Sequence, residues 1–200
     1  GTVTNWDADE NPEAQFTIPS RKGSLPARRY LARTVVGRTF LLVPGVHASG
    51  VDEPRLVGFA RDLAASGHPV VTVGPPDMAS YSISPAVTDA IEDAARWVAD
   101  QRTLVPDGRI GMMGISFAGG LSVVAAGRPS LRDKVAVVLS LGGHGDLPRT
   151  LRYLCTGQHP GGTSPPPHDY GVVIILLRVL DRMVPQDQVE GLRAGVVTFL

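Results

Sequence analysis

The stretch GMMGISFAGGLSVVAAG, Gly111 to Gly127, decides how the chain is read. It is an apolar run that breaks at Gly114-Ile115-Ser116-Phe117-Ala118-Gly119-Gly120 and then resumes. The part before the break, Arg109 to Ile115, has the continuous apolar character of a strand buried on both faces. The part after it, Phe117 to Ala126, reads as an apolar helix. One serine stands at the join. A strand-to-helix turn of the form small-x-Ser-x-small is a nucleophile elbow. The turn is so tight that residues two before and two after the serine must be small, or their side chains collide. Here they are Gly114 and Ala118, and Gly119 and Gly120 leave room for close helix packing. The competing reading is a glycine-rich turn whose serine only caps the helix, as in nucleotide-binding folds. No G-x-G-x-x-G accompanies it, and that fingerprint would follow the first strand of its unit.

On either side of this stretch, strand and helix alternate from residue 39 onward. Thr39–Val43 is an apolar strand, and Pro44–Gly50 is a loop. Asp52-Glu53-Pro54 opens a helix with acidic residues and proline in the first turn. Val70–Val73 is a strand closed by GPPD. Ser84-Pro85 begins a helix striped by Val87, Ile91, Ala94 and Val98. Val135–Leu141 is a strand, Leu147–Leu154 a helix, Val172–Leu177 a further strand, and Val189, Leu192, Val196 and Leu200 mark a last helix. Ahead of all this, Gln15–Ile18 and Leu31–Val36 read as an early pair of strands joined by the turn-rich SRKGSLP. Residues 1–14 read as a flexible lead-in, 15–200 as one domain, and about 147–170 as an irregular insertion. Helical crossovers between buried strands imply an α/β fold, a mostly parallel sheet covered on both faces. Sites in such sheets lie at the carboxyl ends of the strands. That singles out the loops 44–50, 114–117, 142–146 and 178–185.

Composition removes several classes of function. Nineteen basic and nineteen acidic residues give a formal net charge of zero, so nothing resembles a phosphate-binding stripe and nucleic acid is not an expected partner. The single cysteine, Cys155, excludes a disulfide framework and a cysteine-based zinc site. It reads as a small buried hydrophobe. No H-x-x-x-H or H-x-H pair gathers metal ligands, so no metal and no cofactor are expected. The polar, acidic start is not a signal peptide, and the run Gly171–Leu177 is too short to span a bilayer. A soluble, cytoplasmic protein without membrane contact is the expectation.

With its elbow in that strand order, the chain resembles the α/β-hydrolase family over nearly all of residues 15–200. The resemblance implies an oxyanion hole made by the backbone N–H of Phe117 and of Val46. Val46 stands in VPGVH, where the loop glycine, Gly45, is kept and the histidine often found before it is replaced by Pro44. It also implies an acid within a G-x-x-D-x-x-V-P pattern. Arg178-Val-Leu-Asp181-Arg-Met-Val184-Pro185 matches at Asp181, Val184 and Pro185 and departs at Arg178. Asp146 is the second choice for the acid. A bland alternative is that Asp181 caps a turn or pairs with Arg182.

In the family the catalytic histidine comes last, after the acid, but the last histidine here is His168, before Asp181. The expectation is that the final strand, the histidine loop and a last helix lie beyond Leu200, and that this piece alone has weak activity or none. His47 and His144 are candidates for lining the pocket and lesser candidates for the base, and His68 reads as structural. The implied function is a serine hydrolase acting on a small ester or related acyl substrate through an acyl-enzyme on Ser116. Thioester, amide and acyl-transfer chemistry stay open. The alternative is an α/β-hydrolase-like scaffold that binds a ligand or partner without turnover.

Overall fold

The computed structural model describes residues 12–158, 166–167 and 169–200. The chain divides into two compact units, one ending at Gly143 and the other beginning at His144.

The first unit is built on a six-stranded sheet. Its strands are β1 (Glu13–Ser20), β2 (Gly23–Tyr30), β3 (Phe40–Val43), β4 (Val70–Val73), β5 (Ile110–Ile115) and β6 (Val135–Leu141), in the order β1-β2-β4-β3-β5-β6. β4, β3, β5 and β6 run parallel, and β1 and β2 pair antiparallel at one edge. Helix α1 (Pro54–Ala65) packs on one face. There Leu56, Val57, Ala60 and Ala64 meet Tyr30, Leu42, Val70 and Met113. Side chains alternate across a strand, so Ala27, three residues from Tyr30, faces the other way. Its partner Phe16 shares that second face and stacks on Trp97 of helix α3 (Pro85–Ala99), ring centroids 5.6 Å apart. The sheet is therefore covered on both sides at β3, β4 and β5, while the edge strand β6 leaves Val137, Leu139 and Leu141 exposed.

Local chemistry sets the element boundaries. Glu53 caps α1 by accepting the N–H of Leu56 at 2.7 Å, and Pro54 supplies the fixed φ of a first helical residue. The short helix α2 (Pro76–Ala79) occupies the GPPD segment, which the sequence reading leaves as a strand end.

Three expectations in this unit are corrected. The early hairpin turns at Arg21-Lys22, with Ser20 opposite Gly23, so most of SRKGSLP and the following ARRY form β2, and Leu31–Val36 is not a strand. Pro26 misleads the reading. It stands one residue before β2 begins pairing with β4, and its carbonyl still accepts the N–H of Gly74 at 2.9 Å. The lead-in also ends earlier than residue 14. Glu13 already opens β1, and its carboxylate binds Arg28 of β2 and Arg61 of α1. Residues 1–11 of that lead-in lie outside the described residues.

The second unit is helical: α5 (Leu147–Thr156), α6 (Asp169–Leu176), α7 (Leu180–Met183) and α8 (Gln186–Phe199). The expected strand Val172–Leu177 is therefore corrected to a helix. Its run is apolar on all sides, and such a run carries no period to separate a strand from a buried helix. Gly171 decides the packing: a Cβ there would lie 2.9 Å from Leu154 Cδ2, so α6 approaches α5 closely at that point. Cys155 is also corrected. It lies on the exposed side of α5, one residue from the buried Leu154.

Candidate active site

The parallel strands point their carboxyl ends the same way. From β3 the chain crosses to β4 on one side, while β5 and β6 continue on the other. The order thus reverses between β3 and β5, which is where such sheets open a crevice. The loop after β3 carries Pro44–His47, and the turn after β5 carries Ser116.

Ser116 occupies the N-cap position of helix α4 (Phe117–Ala126) with φ +56° and ψ −130°. A non-glycine residue rarely adopts this backbone, which costs about 1–3 kcal/mol when held. Its backbone N–H donates to Leu141 O of β6 at 2.8 Å, and its carbonyl accepts from Gly119 N at 2.8 Å. Those bonds hold the turn, while the hydroxyl caps nothing and the residue is exposed.

The small residues are required by contact. A Cβ on Gly114 would lie 2.3 Å from Ala118 O and 2.6 Å from Ser122 Oγ. A Cβ on Gly119 would lie 2.5 Å from Ser140 Oγ and 2.9 Å from Gly143 Cα. The helix therefore sits directly on β5 and the end of β6. Ser122, wholly buried in this seam, has no hydrogen-bond partner for its Oγ among the described residues.

The loop after β3 reaches the elbow. A Cβ on Gly45 would stand 3.4 Å from Ser116 Cβ and 3.6 Å from Ile115 O. Val46 and Phe117 are both buried, 6% and 8% exposed. His47 is half-buried. Its Nδ1 accepts the N–H of Ser49 at 3.1 Å, and its carbonyl accepts from Gly50 N at 3.0 Å. The structure thus brings Ser116, Phe117, Gly45 and Val46 into one place.

The remaining candidates are placed as follows. Asp181 lies in the first turn of α7, exposed, with no hydrogen bond or ion pair to any described residue, so the bland pairing with Arg182 does not form. The loop 178–185 follows helix α6 instead of a strand end. Asp146 is the N-cap of α5, and its carboxylate accepts the N–H of Arg149 at 3.0 Å. His144 is half-buried, and burial holds its imidazole below the ordinary histidine value. His68 is structural: its Nδ1 lies 3.2 Å from Arg38 O, its ring packs edge-on against Phe40, and only a glycine at position 37 leaves it room. His159 and His168 lie outside the described residues. Among the described residues no group of three metal-ligating side chains gathers, and no helix is long and apolar enough to cross a membrane.

Sequence reasoning missed two features. Ser49 as the partner of His47 follows from a turn that the sequence does not announce. Tyr81, 7% exposed after α2, is the one other described non-glycine residue at positive φ, +56°. No residue type in ASYSIS marks it. A cavity of about 240 Å³ lies between the β1–β2 turn and α3, lined in part by Arg21, Asp77 and Asp93, and none of the site candidates borders it.

No family model matches the sequence, and no curated protein matches it. Solved structures do. Dienelactone hydrolase from Anabaena variabilis superposes with a TM-score of 0.57 at 18% identity, covering 70% of this chain and 68% of its own. Brefeldin A esterase, a bacterial homologue of human hormone sensitive lipase, gives 0.51 at 18% identity, covering 68% and 42%. An esterase from Pyrobaculum calidifontis shares 31% identity over 57% of this chain and 38% of its own, with a TM-score of 0.45. The chain thus spans well under half the length of that esterase. Parallel strands in this order, the tight strand-to-helix turn after β5 and the first two superpositions agree: the chain has the α/β-hydrolase fold.

Proposed function

We propose that the chain carries the nucleophile of a serine hydrolase that cleaves an ester or related acyl bond. The observation that supports this best is the conformation of Ser116: held at φ +56°, exposed, with a hydroxyl that the helix does not use. Strain of this kind persists where surrounding contacts fix it for a purpose.

In the proposed reaction, Ser116 Oγ attacks the acyl carbon and its proton passes to a histidine base. The carbonyl electrons move onto oxygen, between the N–H groups of Val46 and Phe117. The C–O bond to the leaving group then breaks, and the leaving alkoxide takes the proton. Water repeats the sequence on the acyl-enzyme. Each backbone donor aimed at the developing oxyanion contributes about 10²–10³-fold. Asp181 is the proposed acid that orients the histidine. Asp146 is less suited, because its carboxylate is occupied as a cap.

Fluorophosphonate labelling tests the reading. In the whole protein the probe is expected to label Ser116 and to leave Ser116→Ala unlabelled, and short activated esters are expected to be hydrolysed by the same species. A protein that neither labels nor hydrolyses such esters is instead the ligand-binding scaffold.

A further inference from the structure

We infer that Gly45 is a specificity-determining position, and that its missing side chain leaves the space for a branched group beside the scissile ester carbonyl. The inference rests on the serine-hydrolase reading of Ser116.

The fold itself does not require a glycine here. Around the elbow, other glycines are enforced by the protein. A Cβ on Gly114 would lie 2.3 Å from Ala118 O, one on Gly119 2.9 Å from Gly143 Cα, and one on Gly143 2.7 Å from Gly120 N. All three neighbours are backbone atoms and cannot swing aside. Gly45 is different. Its φ is not positive, so its backbone does not call for glycine. Among the described residues, a Cβ there would meet Ser116 Cβ at 3.4 Å and Ile115 O at 3.6 Å, both ordinary contacts. Alanine would therefore fit the folded chain. The space it would fill lies against the nucleophile.

That space is also open. Pro44 and Val46 on either side are buried, whereas Gly45 is half-buried and Ser116 is exposed. The loop thus turns its one bare residue toward the serine. Covalent geometry brings the reacting group to the same spot. In the proposed intermediate the acyl carbon is bonded to Ser116 Oγ, two bonds from the Cβ that Gly45 faces. Its oxygen lies within hydrogen-bond reach of Val46 N, which is itself two bonds from Gly45 Cα. The intermediate is held at both ends beside Gly45, and its remaining two groups, the acyl chain and the alcohol, leave from that same carbon. A methyl on Gly45 takes volume from a branch placed next to the carbonyl, while a small unbranched ester needs little of it.

The test compares wild type and Gly45→Ala in the whole protein with two series of esters. One enlarges the acyl group on a 4-nitrophenyl leaving group, from acetyl through isobutyryl to pivaloyl. The other enlarges the alcohol of an acetate, from ethyl to isopropyl. Gly45→Ala is expected to lower kcat/KM about 3-fold for the smallest ester and about 100-fold for the most branched member of at least one series. The series that steepens identifies the group that passes Gly45. Ser116 labelling by dimethyl and by diisopropyl fluorophosphate reads the same preference without turnover, and the bulkier probe is expected to be slowed more. The urea midpoint of the variant is expected at or above that of wild type, because alanine restricts the unfolded chain. A midpoint well below wild type overturns the inference, since the fold would then need the glycine. Equal slowing of every ester also overturns it, because a displaced oxyanion loop harms all substrates alike. Wild-type protein that never labels overturns the serine reading, and this inference with it. Wild type that labels, beside a folded Gly45→Ala of unchanged preference, overturns the inference alone.

Discussion

Among the described residues, two serines stand at the N-termini of α-helices, Ser84 and Ser116, and the chain uses them in opposite ways. Ser84, before α3, has φ −137° and ψ +164°, ordinary extended backbone. Its Oγ accepts the N–H of Ala86 at 3.2 Å and donates to Asp77 Oδ2 at 2.5 Å. Pro85 follows as the first helical residue. This is a cap, and the hydroxyl is fully employed. Ser116, before α4, has φ +56° and ψ −130° and does not cap. The same residue type in the same position either lowers the energy of its helix or raises it. The capping explanation therefore accounts for Ser84 and fails for Ser116.

The helices that follow differ as well. α3 is tied to its surroundings by charge: Arg21 and Arg128 reach Asp89 and Glu92, and Arg21 also binds Asp93. α4, FAGGLSVVAA, carries no charge and is seated by glycine contacts instead. The largest expected effect is therefore on that seat. Gly114→Val would drive a Cβ against the Ala118 carbonyl, which is backbone and cannot swing aside. We expect a loss of about 3 kcal/mol or more in urea unfolding. Gly58→Ala is the control. It lies within α1 with nothing near its Cβ position, and should gain about 0.5–1 kcal/mol. Equal tolerance at the two glycines would mean that α4 is not seated on β5 as described.

The next effect belongs to α3. Burial alone would raise the carboxyl of Glu92, but hydrogen bonds from Ser130, Arg128 and Arg21 outweigh it and hold the group at about 2, against an ordinary 4.5. A depressed carboxylate contributes stability that is fully present above about pH 4.5 and lost as the pH falls through about 2. The contribution is on the order of 3 kcal/mol at most. Urea midpoints of the wild type should fall across that window. Those of Glu92→Gln should fall less, from a lower starting stability. Parallel acid limbs in the two proteins would show that the carboxylate is not depressed.

The contrast between the serines also marks how far the sequence could be read. β3 to β6 and α1, α3 and α4 were legible because each carries a clear pattern and ends on a local signal, such as Glu53-Pro54, Ser84-Pro85 or the break at Ser116. The elbow was legible because its steric demand falls on neighbours two residues away, Gly114 and Ala118. Val172–Leu177 was not, because a run apolar on every side fits a strand or a helix until Leu154 meets Gly171. β2 was not, because Pro26 mimics a turn unless its place beyond the β4 pairing is known. The fixed ring of His47 depends on a bond to Ser49 that only the folded turn creates.

The smallest expected effect is the one that tests the contrast most directly, because its sign should differ between the two serines. Glycine at a normal N-cap is only slightly worse than serine, but Ser84→Gly also loses the bond to Asp77, so it should cost about 1 kcal/mol. At Ser116 glycine relieves a backbone strain of about 1–3 kcal/mol. It gives back about 0.4–1 kcal/mol through the greater freedom of the unfolded chain. The balance is a gain of about 1 kcal/mol, read as a raised urea midpoint at unchanged slope, in a protein that no longer takes a fluorophosphonate. A loss of stability at both positions would mean that the Ser116 backbone is not strained, and would remove the physical ground for treating its hydroxyl differently from that of Ser84. Opposite signs would show that the fold spends stability at position 116 to hold a side chain the helix does not need.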